Sequence, residues 1–351
     1  MRATGGVRMR SGRSVRSGAA AAVCALGVAT AIFVPATLDD QGDGAGTARG
    51  GAGAHPRAAR TTAAATADTC VRPEASLRPS SASGPAIERI KNRRVDGHKL
   101  GKLIAGVDQN SYRWGYRDPA TGDLTGFDID LVRAIAEDIF GDPDAVIYRA
   151  IPTSQRIKAL QQGKVDIVVR TMTINCDRLK DVAFSTAYFK AGQQVLVPKD
   201  SSVTGYNTSL RGKRVCTAKG STAEAALDQE KGGAKDLGAI KVDPVPNQLD
   251  CLVRLQLGQV DAVITDNALA AGQAAQDPSV KLVGKPFTEE FYGVAMNRSD
   301  KDLVRRVNKV LEEYRSGGEN SRWMRAYRKW LAEDLGKTEE NPAAPAPAYK
   351  D

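Results

Sequence analysis

Histidine is almost absent: the 351 residues hold two, His55 and His98, and neither stands in a cysteine-bearing segment. With no CxxC pair either, a zinc site has little to be built from, and no metal-binding histidine pair appears. No nucleophile elbow occurs. Aromatic residues make up 5% of the chain, and with so little net charge beyond the first 36 residues a nucleic-acid reading loses its main support. The formal charge of +9 is largely local. Five of those charges are Arg2, Arg8, Arg10, Arg13 and Arg16, in a segment with no acid, and the 315 residues beyond position 36 carry only +4. What is present is an ordinary globular composition, 42% hydrophobic and 26% charged, enough for one large or two modest domains.

The five arginines precede an apolar run of 18 residues, Ala19 to Ala36, broken only by Thr30. A basic flank before such a core is the layout of an export signal, and the run also just reaches the roughly 17 residues that span a bilayer. Val34-Pro35-Ala36 offers small residues for cleavage, so residues 1–36 are expected to be a signal peptide or a membrane anchor. Cys24 lies inside the apolar core behind Ala21-Ala22-Val23, a poor site for lipid attachment. The remaining cysteines, Cys70, Cys176, Cys216 and Cys251, are an even set in a chain bound for an oxidising compartment, where two disulfides are the natural expectation. Four cysteines permit three pairings.

Residues 37–83 are dominated by Gly, Ala, Thr, Ser and Pro, a composition that buries too little apolar surface to offset chain entropy, and are expected to form a flexible tether. Residues 336–351, rich in Pro and Ala, are expected to be a disordered tail. Between them lies an internal near-repeat. Leu160-Gln161-Gln162-Gly163-Lys164-Val165-Asp166-Ile167-Val168 matches Leu255-Gln256-Leu257-Gly258-Gln259-Val260-Asp261-Ala262-Val263, each reading as a helix end, a glycine cap and a short buried strand. Gly101 to Gly106 matches Gly212 to Thr217 in the same order. Two lobes of one α/β type are implied. Asp128 is positioned to cap a helix carrying Ile129, Val132, Ile135, Ala136 and Ile139; further helices are expected at 154–162, 221–230 and within 301–335, where Trp323, Tyr327 and Trp330 read as core.

In open α/β sheets, ligands bind beyond the carboxyl ends of strands, where loops lead into helix N-termini. Four such loops stand out: Asp108 to Trp114, Arg170 to Arg178, Gly220-Ser221-Thr222, and Thr265-Asp266-Asn267. Together they offer guanidinium groups, hydroxyls, helix amides, a carboxylate and an aromatic wall. Arginine grips a carboxylate through two parallel bonds and aspartate holds an ammonium, so the set suits a zwitterion.

Gly126-Phe127-Asp128-Ile129-Asp130-Leu131, Leu160 to Val168, Thr171-Met172-Thr173-Ile174 with Arg178, Phe184-Ser185-Thr186-Ala187-Tyr188, Gly220-Ser221-Thr222 and Val260-Asp261-Ala262-Val263 stand here in one order. Over about residues 86–335 the chain thereby resembles the family 3 extracellular solute-binding proteins of polar amino-acid ABC importers, the glutamate-binding subgroup in particular. The resemblance implies an α/β chain with the periplasmic-binding-protein type 2 fold: two α/β lobes joined by a two-segment hinge, with the ligand cleft between them. Lobe 1 would be 84–192 plus 288–335 and lobe 2 would be 193–287, with the crossovers near Gln193 to Val197 and Val283 to Phe287. It also implies the pairings Cys216 with Cys251, both in lobe 2, and Cys70 with Cys176.

Carried over by position, Arg178 corresponds to the arginine that binds the ligand α-carboxylate, helped by Thr173 and the backbone at Thr171. Asp266 corresponds to the receiver of the α-ammonium. Ser221 and Thr222 mark the helix N-terminus that meets the ligand, and Arg156 corresponds to the arginine facing a side-chain carboxylate, which selects glutamate, with aspartate second. Arg170 departs from the small residue usual there; it either adds a positive partner or points to solvent. Tyr112 and Trp114 are candidates for the pocket wall or for core. The expected function is an extracytoplasmic, membrane-associated receptor, a monomer without cofactor or metal, that hands an amino acid to ABC permease subunits by closing its lobes. A sensor presenting the amino acid to a signalling partner is the alternative, and an enzyme on the same fold a more distant one.

Overall fold

The computed structural model describes residues 70–230, 237, 240–336 and 342–350, all within Thr66–Asp351, the second of two units into which the chain divides. The expected signal or anchor (1–36), Cys24 and the tether as far as residue 69 lie outside the described residues. So do residues 337–341 and 351 of the tail.

The sequence Leu-Ile-Ala-Gly-Val at 103–107 is buried at every position, the signature of a strand covered on both faces. It lies inside a five-stranded sheet with the order Val146–Ala150, Leu103–Val107, Ile167–Val168, Ala295–Asn297, Val182–Phe184. The first three strands are parallel and Ala295–Asn297 runs against both of its neighbours. A second five-stranded sheet has the order Lys241–Val245, Arg214–Ala218, Ala262–Asp266, Gln193–Pro198, Val280–Val283, with the same pattern of three parallel strands and one antiparallel insertion. The near-repeat therefore marks equivalent strands of two lobes. Gly163 and Gly258, equivalent within it, both take left-handed φ values, 63° and 64°, where an L side chain would be strained.

Helices cover the sheets. In Phe127–Phe140 the residues Ile129, Leu131, Val132, Ile135 and Ile139 are buried, and each such side chain contributes roughly 1.5–3 kcal/mol relative to exposure. Lys301–Arg315 and Arg322–Trp330 complete the first core, where Trp323 stacks on Tyr327. The lobes are joined by a two-stranded antiparallel ribbon, Phe189–Ala191 against Glu290–Tyr292, with Ala191 opposite Glu290. This corrects the expected crossovers: Gln193–Pro198 is a strand of the second sheet, buried at its first five positions, and the ribbon lies just outside it.

Residues 70–83 and 342–350 also depart from expectation. Ser76 and Tyr349 form a parallel β-bridge, Ser76 N donates to Ala348 O at 2.9 Å, and Lys350 N donates to Ser76 O at 3.0 Å. Fully buried Asn308 donates to Ser76 Oγ and Leu77 O, and Ser76 Oγ donates to Phe184 O at 2.6 Å. A composition averaged over the segment misses this, because buried Asn308 holds Ser76 and Leu77 against the first lobe and the Ser76 backbone in turn pairs with Ala348 and Lys350. No helix among the described residues is long and apolar enough to cross a membrane.

Candidate functional site

The first lobe's contribution starts where the Ile167–Val168 strand ends. The chain turns sharply through Thr171, whose φ is +42°, and Thr171 N donates to Asp128 Oδ2 at 3.0 Å. Tyr188 OH donates to Asp128 Oδ1 at 2.8 Å. Asp128 is thus not the expected helix cap, a place taken by Gly126; it is the buried post to which the loop is tied. Burial pushes its carboxyl up to about 7, against the pull of those two donors. With its N–H so engaged, Thr171 offers a ligand no free amide.

Asn175 then caps the short helix Cys176–Leu179, its Oδ1 accepting from Arg178 N at 2.9 Å. This turn returns the Arg178 side chain towards the strand end. Arg178 Nη1 donates to Thr173 O at 2.7 Å, and Nη2 reaches across to Gly220 O in the second lobe at 3.2 Å. Gly220 must be glycine here: its φ is +76°, and a Cβ would meet Ser154 Cα at 3.0 Å.

Arg156 opens the helix Arg156–Gln161, with Nε on Thr153 O at 3.0 Å and Nη1 on Arg170 O at 3.2 Å. Arg170 is fully buried, which rules out the solvent-facing alternative. It pairs with Asp108 at 2.9 Å and donates to Thr153 Oγ1 and, across the lobes, to Asn247 Oδ1. Its charge is spent inside the protein. Arg156 and Arg178 differ: both are more than nine-tenths buried, and among the described residues neither makes an ion pair. Burial, then repulsion from Arg178 and Arg170, holds the Arg156 guanidinium well below its ordinary range; burial also lowers Arg178, opposed by Glu290 and Asp266. Both line one cavity of about 250 Å³, together with Thr153, Ser154, Met172 and Lys219.

In the second lobe Ser221 is the N-cap of the helix Thr222–Gln229, its Oγ accepting from Glu224 N and meeting Thr217 Oγ1. Its side chain serves the helix. Thr222 Oγ1 donates to Glu290 at 2.9 Å. Asp266, at the end of the Ala262–Asp266 strand, accepts from Gln193 Nε2 and Tyr292 OH. Burial, then the nearby Glu290 carboxylate, pushes Asp266 up to about 7. Thr173 Oγ1 donates to Glu290 as well. Glu290, Gln193 and Tyr292 lay outside the sequence-derived set because they sit on or beside the ribbon, where no loop motif points.

Trp114 belongs to the core: 1% exposed, it packs edge-on against Phe127, Phe189 and Tyr292 and donates Nε1 to Ala268 O. Tyr112 packs on Tyr116 and under the Arg113 guanidinium, away from the 250 Å³ cavity. Disulfides join Cys70 to Cys176 and Cys216 to Cys251. Among the described residues no cluster of three or more His, Cys, Asp or Glu is placed to hold a metal.

The two-lobed α/β architecture has known counterparts. The chain is 35% identical over 233 residues, covering 66% of this chain and 82% of its relative, to the "ABC transporter glutamine-binding protein GlnH" of Bacillus subtilis. It is 28% identical over 249 residues, covering 68% of this chain and 80% of the other, to the "Glutamate-binding protein GluB" of Corynebacterium efficiens. Among solved structures it is similar to an ancestral arginine-binding protein bound to glutamine, with TM-score 0.59, 36% identity, and coverage of 67% of this chain and 99% of that one. Residues 103–333 match the bacterial extracellular solute-binding proteins, family 3, and the chain belongs to that family of extracytoplasmic receptors.

Proposed function

We propose that this receptor binds an acidic amino acid, glutamate before aspartate, and delivers it as a monomer to the permease of an ABC importer. One observation carries the reading: Arg156 and Arg178, both deeply buried and neither ion-paired among the described residues, line the same cavity. A buried charge without a counterion is costly, and a ligand carrying two carboxylates relieves two such charges at once. Arg178, with Thr173 beside it, takes the α-carboxylate; Arg156 takes the side-chain carboxylate; Asp266 receives the ammonium. Residues 84–192 with 288–335 and residues 193–287 are the two bodies that close about the ribbon, and residues 1–36 export the chain or hold it at the membrane. GluB supports this ligand by its name.

Glutamine is the second reading, favoured by GlnH at 35% identity and by the glutamine-bound ancestral structure. Calorimetric titration of the full chain with glutamate, aspartate, glutamine and asparagine separates the two. Arg156→Ala is expected to weaken glutamate by about 10- to 100-fold, the worth of one charged hydrogen bond, and glutamine much less. Equal losses would remove Arg156 from the side-chain pocket, and silence from all four ligands at millimolar concentration would overturn the amino-acid reading.

A further inference from the structure

Gln193 Nε2 stands between two carboxylates. It donates to Asp266 Oδ1, to Glu290 Oε1 at 3.1 Å and to Thr222 Oγ1 at 3.1 Å. An amide nitrogen has two protons for these three acceptors. The Gln193 carbonyl oxygen, on a side chain 1% exposed, has no hydrogen-bond partner among the described residues. Buried amide oxygens are nearly always paired, so this side chain sits where another group would fit better.

The carboxylates share the same deficiency. Asp266 and Glu290 are 7% and 6% exposed, and neither makes an ion pair among the described residues. Their partners are neutral: Tyr292 OH and Gln193 on Asp266; the Thr173, Thr222 and Thr288 hydroxyls and Gln193 on Glu290. Two buried carboxylates and one hydroxyl oxygen converging on a single nitrogen describe the surroundings of a primary ammonium, which brings three N–H donors and the missing positive charge.

We propose that Glu290 is a second ammonium-binding carboxylate, acting with Asp266, and that the ligand ammonium displaces the Gln193 amide to reach both carboxylates and Thr222 Oγ1. The inference rests on the amino-acid reading and deepens it. Thr173 ties the two halves of the ligand site together: its carbonyl holds Arg178, the carboxylate receiver, while its hydroxyl holds Glu290. Because Glu290 lies on the ribbon, the ammonium also bridges the hinge to the second lobe. The site would therefore demand an ammonium, and would reject a dicarboxylate such as glutarate that satisfies the two arginines alone.

The test titrates the full chain and its Glu290→Gln variant with glutamate, glutamine and glutarate. Glu290→Gln, which removes charge but little volume, is expected to weaken whichever amino acid binds by about 10- to 100-fold and to narrow its advantage over glutarate. A loss under threefold, or equal losses for amino acid and glutarate, would overturn the role of Glu290 while leaving the amino-acid reading intact. If the unaltered chain binds no amino acid, the underlying reading fails instead. Should Glu290→Gln not fold, Glu290→Asp keeps the charge but withdraws it by one methylene; a partial loss confined to the amino acids supports the role, and unchanged affinity overturns it.

Discussion

The two lobes share a strand order and even a local clamp. Asp166 accepts from Ile104 N and pairs with Arg93; its equivalent in the near-repeat, Asp261, accepts from Arg214 N and pairs with the Arg214 side chain. Each fastens the second strand of its sheet, in the order given above, to the start of the third. The lobes part company immediately beyond. In the first, the strand runs into a loop and a four-residue helix that present Arg170 and Arg178, with Arg156 alongside. In the second, Asp266 ends the strand and the helix Asn267–Gln276 starts at once. One topology thus carries cations on one side and a carboxylate on the other, and a zwitterion that touches both gains most when they close.

The largest test of that asymmetry is Arg178→Ala. It removes a guanidinium that bonds both lobes, through Thr173 O and Gly220 O, and that takes the ligand carboxylate in our reading. Two charged hydrogen bonds to ligand are worth about 3–6 kcal/mol, so a loss of at least a hundredfold is expected for every amino acid, read by calorimetry. A loss confined to acidic ligands would move Arg178 from the α-carboxylate to the side chain and break the division of roles between the lobes.

How far the sequence reveals such a site follows from the kind of signal each residue leaves. Arg178, Asp266 and the helix opening at Ser221-Thr222 lie at strand ends or in the segments that follow them, so local pattern marks them as candidates, whereas Arg156 comes only from the family resemblance. The near-repeat shows the doubled sheet because strand, glycine and aspartate recur in one order. Glu290 and Gln193 leave no local mark: they reach the site from the ribbon, and Glu290 meets Thr173 across 117 positions of sequence. Arg170 is ambiguous in the sequence because its partner, Asp108, also lies far from it in the chain and only folding brings them together. Trp114 stays open between pocket wall and core in the sequence for a related reason, since an aromatic before a helix reads alike whether it faces a cleft or three other rings.

A second difference between the lobes lies in their disulfides. Cys216–Cys251 closes 35 residues and ties the Arg214–Ala218 strand to the Gln248–Gln256 helix, both sulfur-bearing residues fully buried. Cys70–Cys176 spans 106 residues and pins the exposed start of a strap that Asn308 and Tyr349 hold further along. Replacing Cys216 and Cys251 by alanine is expected to cost about 2–5 kcal/mol, seen as a lower melting temperature. Replacing Cys70 and Cys176 is expected to cost less, because the strap keeps its other attachments. Mass mapping under mild reductant should find Cys70 and Cys176 labelled first; simultaneous labelling would mean the second lobe opens as readily as the strap.

The mildest test uses pH alone, and it separates ligand binding from folding by their opposite signs. Asp266 is raised to about 7 by burial and by Glu290, with Tyr292, Gln193 and Arg156 acting to lower it. To receive an ammonium it must be ionised. Between pH 8 and pH 6 its ionised fraction falls about tenfold, so amino-acid affinity should fall by about that factor. Stability moves the other way. An acid whose folded pKa lies above its unfolded value binds protons more readily in the native state, so Asp266, and Asp128 beside the first-lobe loop, favour folding more as pH drops from about 7 towards 4. Acidification across that upper range should therefore shrink the melting shift produced by the amino acid, while these two groups push the melting temperature of the protein by itself upward. Affinity that stays level from pH 8 to pH 6 would mean that Asp266 remains ionised throughout, and that the two carboxylates beside Gln193 are already balanced by the arginines of the facing lobe.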